Sequence, residues 1–137
     1  MKVLVTGGAG FIGVRTAMEA LNDGHELTVL DDLSTGLAQR FASLADAGAR
    51  TVLGDIRDPV ARADALEGVH AVVHLAAQGS VPRSVEDPEA TLDVNVRATD
   101  ALLEDMAERG LHRLVLASSA AVYGDLDKVP HVEDMVG

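Results

Sequence analysis

KVLVTGGAGFIG, residues 2–13, is the stretch on which the fold turns. Val3 to Val5, with Lys2 in front, form a short and nearly continuous apolar run. Such a run suits a strand covered on both faces, as in a parallel sheet. It stops at Thr6-Gly7-Gly8, and from about Gly10 the residues Ile12, Ala17, Ala20 and Leu21 recur near helical spacing until Asn22-Asp23-Gly24 ends the pattern. A strand therefore passes through a glycine-rich turn straight into a helix.

Outward from this unit the alternation continues. Glu26 to Leu30 reads as a strand and ends in Asp31-Asp32 and the turn-like Leu33-Ser34-Thr35-Gly36, and a helix is predicted from about Leu37 to Asp46. Thr51 to Leu53 reads as a third strand, broken at Gly54-Asp55. Asp58-Pro59 then opens a helix with a side-chain cap and a first-turn proline. His70 to Leu75 is predicted as the fourth strand. Asp87-Pro88 opens the longest helical pattern, with Leu92, Val96, Leu103 and Met106 as its apolar stripe and Gly110 as its stop. Leu114 to Ala117 is the fifth strand. Strands alternating with helices imply right-handed crossovers, hence an α/β, Rossmann-type three-layer domain with a parallel sheet of order 3-2-1-4-5. Residues 1–124 are expected to form that domain, and the polar, proline-interrupted residues 125–137 an irregular tail.

Composition narrows the function. A chain of 137 residues is of single-domain length and buries about two-thirds of its unfolded surface. Hydrophobic residues make up 47% but aromatic ones only 2%, so the core must come from Val, Leu, Ile and Ala. The formal charge of −11 argues against nucleic acid and anionic membrane as partners, since both require clusters of Lys and Arg. No apolar run approaches a membrane span, and glycines arrive too early for a secretory signal, so a cytoplasmic location is expected. Without cysteine there is no disulfide or thiolate site, and the five histidines show no ligand spacing, so no metal is expected.

The glycines at 7, 10 and 13 carry a chemical implication. A turn of this kind brings main-chain N–H groups and the positive end of a helix close to a pyrophosphate, while Gly13 lets the helix press on the first strand. Asp31 stands 18 residues beyond Gly13, at the end of the second strand. A carboxylate there accepts hydrogen bonds from ribose hydroxyls and repels a 2′-phosphate, so NAD is favoured over NADP. Asp32 adds to that repulsion, and no Arg or Lys lies between Asp31 and Gln39.

With the glycine turn, Asp31-Asp32-Leu33-Ser34, Gly54-Asp55-Ile56-Arg57, His74-Leu75-Ala76-Ala77 and Ser118-Ser119-Ala120-Ala121-Val122-Tyr123-Gly124 in register, essentially the whole chain resembles the extended short-chain dehydrogenase/reductases. Within them it is most similar to the NAD-dependent nucleotide-sugar epimerases, with the dehydratases close by. The segment Ala77 to Ser84 is similar to epimerases of N-acetylated or uronic UDP-sugars. The resemblance implies that Phe11 and Ile12 offer amides to the pyrophosphate and that Asp31, Asp32, Leu33, Ser34, Thr35 and Gly36 wrap the adenosine ribose. It further implies that Asp55 and Ile56 bracket the adenine, that Leu75, Ala76, Ala77 and Gln78 line the cofactor, and that Asn95 points inward and reaches its nicotinamide end. Ser119 matches the catalytic hydroxyl that bonds the sugar oxygen undergoing oxidation; His74 is read as a packed core histidine without a catalytic role.

One departure stands out. The family's base is a tyrosine with a lysine four residues later, farther from the serine than this sequence extends. Tyr123 is followed four residues later by Asp127, and Lys128 is out of step by one. The base and the sugar-binding C-terminal portion are thus expected to be absent, leaving a cofactor-binding part of an epimerase that is inactive alone. A non-catalytic NAD-binding or regulatory module, a dehydratase parent, and a fold for another ligand such as S-adenosylmethionine are the alternatives. The Asp55-Ile56 and Ser118-to-Gly124 matches count against the last of these. The fifth strand is then a sheet edge, and self-association through it is expected unless the tail covers it.

Overall fold

Strand, glycine turn and helix run in the order expected. The computed structural model describes residues 1–125 and 129–135; Asp127 and Lys128, where the tyrosine–lysine spacing fails, lie outside the described residues. Five parallel strands, β1 (Lys2–Thr6), β2 (Glu26–Asp31), β3 (Arg50–Leu53), β4 (Ala71–His74) and β5 (Leu114–Leu116), form one sheet of order β3-β2-β1-β4-β5. Helices α1 (Phe11–Asn22) and α2 (Ala38–Asp46) follow β1 and β2, and α3 (Pro59–Ala65) follows β3.

Strand periodicity divides the core in two. Val3, Val5, Leu27 and Val29 face α1 and α2 and pack with Ala17 and Leu44. Leu4, Leu30, Val52 and Val72 point the other way, onto Ala61 and Ala65 of α3 and onto Ala98, Leu102 and Met106 of a later helix. That second face also carries polar groups: Thr6, Thr28 and His74 are buried.

The crossover from β4 to β5 differs from the expected single helix. It comprises α4 (Val81–Glu86), α5 (Pro88–Leu92), a π turn at Asp93–Arg97 and α6 (Ala98–Glu108). The caps are as read: Asp58 accepts the Val60 amide at 2.9 Å and Asp87 accepts the Ala90 amide at 3.0 Å, each with proline in the first turn. Helix α4 is additional to the expected elements; Ser80 caps it, with Pro82 in its first turn. The apolar stripe must also be corrected. Of the expected stripe Met106 is buried, but Leu92, Val96 and Leu103 are exposed, and Ala98 and Leu102 are buried in their place. A π turn at Asp93–Arg97 adds one residue between Leu92 and α6, so a single helical phase does not carry from one side of it to the other.

β5 is an edge, and Val115 and Leu116 are exposed on it. In the described part of the tail, His131 stacks on Tyr123 with ring centroids 4.9 Å apart.

Candidate cofactor site

The site begins with the turn after β1. Gly7 has a φ of +69°, and a Cβ there would lie 2.8–2.9 Å from the Leu75–Ala76 backbone, so only glycine allows the β1 and β4 ends to approach this closely. A Cβ on Gly13 would sit 2.1 Å from the Gly7 carbonyl oxygen, which is the helix-on-strand packing expected of it. Phe11 and Ile12 occupy the first turn of α1 with exposed side chains. Their amides have no carbonyl a turn earlier to bond and point out of the helix.

Asp31 closes the second side. It is 8% exposed, and both its oxygens accept main-chain amides, Oδ2 from Ala9 and Oδ1 from Leu33, each at 2.8 Å. The acid therefore ties the glycine turn to the loop after β2 before any ligand arrives. Leu33 adopts a φ of +60° in that loop, Asp32 accepts the Ser34 amide at 2.9 Å, and Gly36 is packed against Asp31 and Ala9. Two ionised oxygens offer about four acceptor positions, so Asp31 retains capacity for ribose hydroxyls.

At the third side, Asp55 is gripped by Arg57, whose Nε lies 3.0 Å from each oxygen and whose Nη2 lies 2.5 Å from Oδ2. That bonding, with burial opposing it, holds the Asp55 carboxyl below its ordinary value. Arg57 also lies within the electrostatic reach of Asp32 and Asp93, a proximity invisible in the stretch from Asp31 to Gln39.

These parts meet in one cleft at the carboxyl ends of the strands, the usual ligand position of an open parallel sheet. Of the residues read from sequence, Gly7, Gly10, Asp31, Asp32, Ser34, Thr35, Asp55, Ile56 and Leu75 to Gln78 line it. Leu30, Gly54 and Val94 line it as well, beyond what the sequence pattern assigns to the site. Gly54 reads in sequence as a strand break and Leu30 as the end of a strand, and Val94 has no reading there. Phe11, Ile12, Gly13, Leu33 and Gly36 are not among its lining residues.

Asn95 and Ser119 belong instead to an adjoining recess, which shares Leu75 to Gln78 with the cleft. Asn95 is exposed, contrary to the inward orientation expected of it, and its amide pairs with the main chain of Gln78: Gln78 N–H donates to Oδ1 at 2.7 Å and Nδ2 donates to the Gln78 carbonyl at 3.0 Å. Ser119 Oγ accepts the Ala121 amide at 3.2 Å, which leaves its hydroxyl proton to donate elsewhere.

The residues suit a dinucleotide on the structure's own terms. The turn lacks side-chain bulk at Gly7, the first-turn amides of α1 face outward, Asp31 keeps acceptor capacity, and Ile56 supplies an apolar wall beside Asp55.

Comparison with known proteins agrees. The model of the NAD dependent epimerase/dehydratase family matches residues 3–136. The UDP-glucose 4-epimerase of Corynebacterium glutamicum is 44% identical over 135 residues, covering 98% of this chain and 40% of the relative. The crystal structure of the Thermus thermophilus UDP-glucose 4-epimerase complex with NAD superposes with a TM-score of 0.88 at 37% identity, over 99% of this chain and 43% of that one. The UDP-glucose-4-epimerase of Stenotrophomonas maltophila, with bound NAD and formylated UDP-arabinopyranose, gives a TM-score of 0.88 at 36% identity, covering 97% and 41%. This chain thus spans about two-fifths of these relatives' length. On this match the chain belongs to the NAD dependent epimerase/dehydratase family.

Proposed function

We propose that the chain is the NAD-binding part of a nucleotide-sugar epimerase that acts on UDP-sugars. The observation that carries this reading is the cleft in which Gly7, Asp31, Asp55 and Ala76 converge from four strand ends. Support comes from the family match and from relatives described as UDP-glucose 4-epimerases with NAD bound.

In this reading the amides of Phe11 and Ile12 hold the pyrophosphate, and Asp31 with the loop through Gly36 takes the adenosine ribose. Ile56 covers one face of the adenine, and Asp55 accepts from its exocyclic amine. The segment Leu75 to Gln78 runs along the rest of the cofactor, with Asn95 at the nicotinamide end. When bound, NAD supplies the hydride acceptor for oxidation at C4 of the sugar. Ser119 donates its hydroxyl proton to the sugar oxygen that loses hydrogen and stabilises the charge developing there. The base and most of the sugar site come from residues outside this chain, so the chain by itself binds cofactor without turnover. A cytoplasmic setting and self-association through the β5 edge complete the proposal; the exposed Val115 and Leu116 support the latter.

Calorimetric titration with NAD and NADP tests the binding, and a UDP-sugar assay with and without the remaining polypeptide as a second chain tests the division of labour. Saturable NAD binding with turnover only after complementation is the expected result. Heat from neither nucleotide, or epimerisation by this chain alone, overturns it.

A further inference from the structure

His74 is a buried titratable group for which the cofactor reading has no use. It ends β4, is 2% exposed, and stands between two hydroxyls. Nδ1 is 2.6 Å from Thr6 Oγ1, and Nε2 is 3.0 Å from Thr99 Oγ1.

Hydrogen counting fixes the direction of every bond. The Thr6 hydroxyl oxygen already accepts the Ala76 amide at 3.2 Å and shares the Leu75 amide with the Thr6 main-chain carbonyl, each also at 3.2 Å. A hydroxyl has two acceptor positions and one proton, so the Thr6 proton is the one that goes to Nδ1. Nδ1 is therefore unprotonated, and the ring hydrogen resides on Nε2. On the other side, Thr99 donates its own proton to the Asn95 carbonyl at 3.0 Å, so it receives the Nε2 hydrogen. The imidazole is neutral and held in one tautomer.

The chain of bonds also has a shape. Thr6 holds the near end of the segment Leu75–Gln78 through two amides, and Asn95 holds the far end through both polar groups of the Gln78 main chain. His74 and Thr99 join these two holders. Asn95 sits in the π turn at Asp93–Arg97, the kind of helix irregularity that recurs at functional sites. The segment so framed forms the wall shared by the cleft and the serine recess.

We propose that His74 is a positioning residue, a neutral imidazole protonated at Nε2 that locks the Leu75–Gln78 wall to the π turn and thereby aligns the cofactor cleft with the serine recess. Its consequence for binding rests on the NAD reading above; its consequence for the wall does not.

The test uses the full chain with 15N-labelled histidine and the variants Thr99→Val and Thr99→Ser. In the wild type near neutral pH, His74 shows one protonated nitrogen, Nε2. Thr99→Val speeds hydrogen exchange at the Gln78 amide and weakens NAD binding by about tenfold, while AMP affinity stays at the wild-type level. Thr99→Ser, which keeps the hydroxyl, restores both. A proton on Nδ1 or on both nitrogens overturns the proposal, as does a folded Thr99→Val protein with wild-type Gln78 exchange. Should the wild type bind no NAD, the cofactor reading falls, and the tautomer and the exchange rate still decide this one.

Discussion

The carboxylate of Asp31 and the amide of Ala9, 22 positions apart, meet at 2.8 Å at the base of the cleft. One acid thus holds the glycine turn and, through Leu33, the loop after β2. Asp31→Asn keeps the size but replaces one acceptor oxygen with a donor that faces an amide. NAD affinity is expected to fall at least tenfold, since a bond to a charged acceptor is worth about 1.5–3 kcal/mol. Titration of the variant with NAD checks this. The wild type should prefer NAD over NADP, and equal affinity for both would remove the role given to Asp31.

Gly13→Ala places a methyl group within 2.1 Å of the Gly7 carbonyl, closer than any Cβ tolerates. Helix α1 must move off β1, at a cost of about 1–3 kcal/mol. The melting temperature drops and NAD binding is lost together. Loss of one without the other would show that this contact does not set the glycine turn.

Thr28 is fully buried in β2, and its hydroxyl has no hydrogen-bond partner among the described residues. Valine has the same shape without the polar atom. Thr28→Val should raise stability by about 1 kcal/mol, read from urea or thermal unfolding, because an unsatisfied buried hydroxyl costs about 1–3 kcal/mol. A destabilised variant would reveal a bond that this geometry lacks.

Burial pushes the His74 imidazole below its ordinary value of 6.5. The native state then resists a proton that the unfolded chain accepts. Where the unfolded state binds more protons, stability rises with pH, so this contribution is complete above about 6.5 and declines as pH falls below it. Unfolding midpoints measured across this window should decrease toward acid while the His74 ring stays neutral in the folded protein. A midpoint that rises toward acid contradicts that sign.

Much of the cleft was legible because its parts are local. A glycine with positive φ, an acid at a strand end and small residues after β4 each leave a mark within a few positions, and Gly7, Asp31 and Ala76 all line the cleft. Asn95 was legible only as an amide on the long crossover, and its exposure was not. Its pairing with Gln78 depends on where the crossover lands, which no spacing within 87–110 encodes. Arg57 reads in sequence as part of a motif, and only the folded chain shows it as the cation beside Asp55.

The stripe of the long crossover shows the limit most clearly. Leu102 and Leu103 are adjacent and equally apolar, yet one is 1% exposed and the other 42%. Helical period alone cannot choose between them once a π turn shifts the phase. By itself the sequence determined the order of strands and helices, the glycine turn after β1 and the acid at the end of β2, because these rest on backbone freedom and on periods within single elements. Only the tertiary structure decided which crossover face is buried and that Thr6, His74, Thr99 and Asn95 form one bonded line. Those relationships join positions up to 68 residues apart, and they exist only once both helical layers have closed on the sheet.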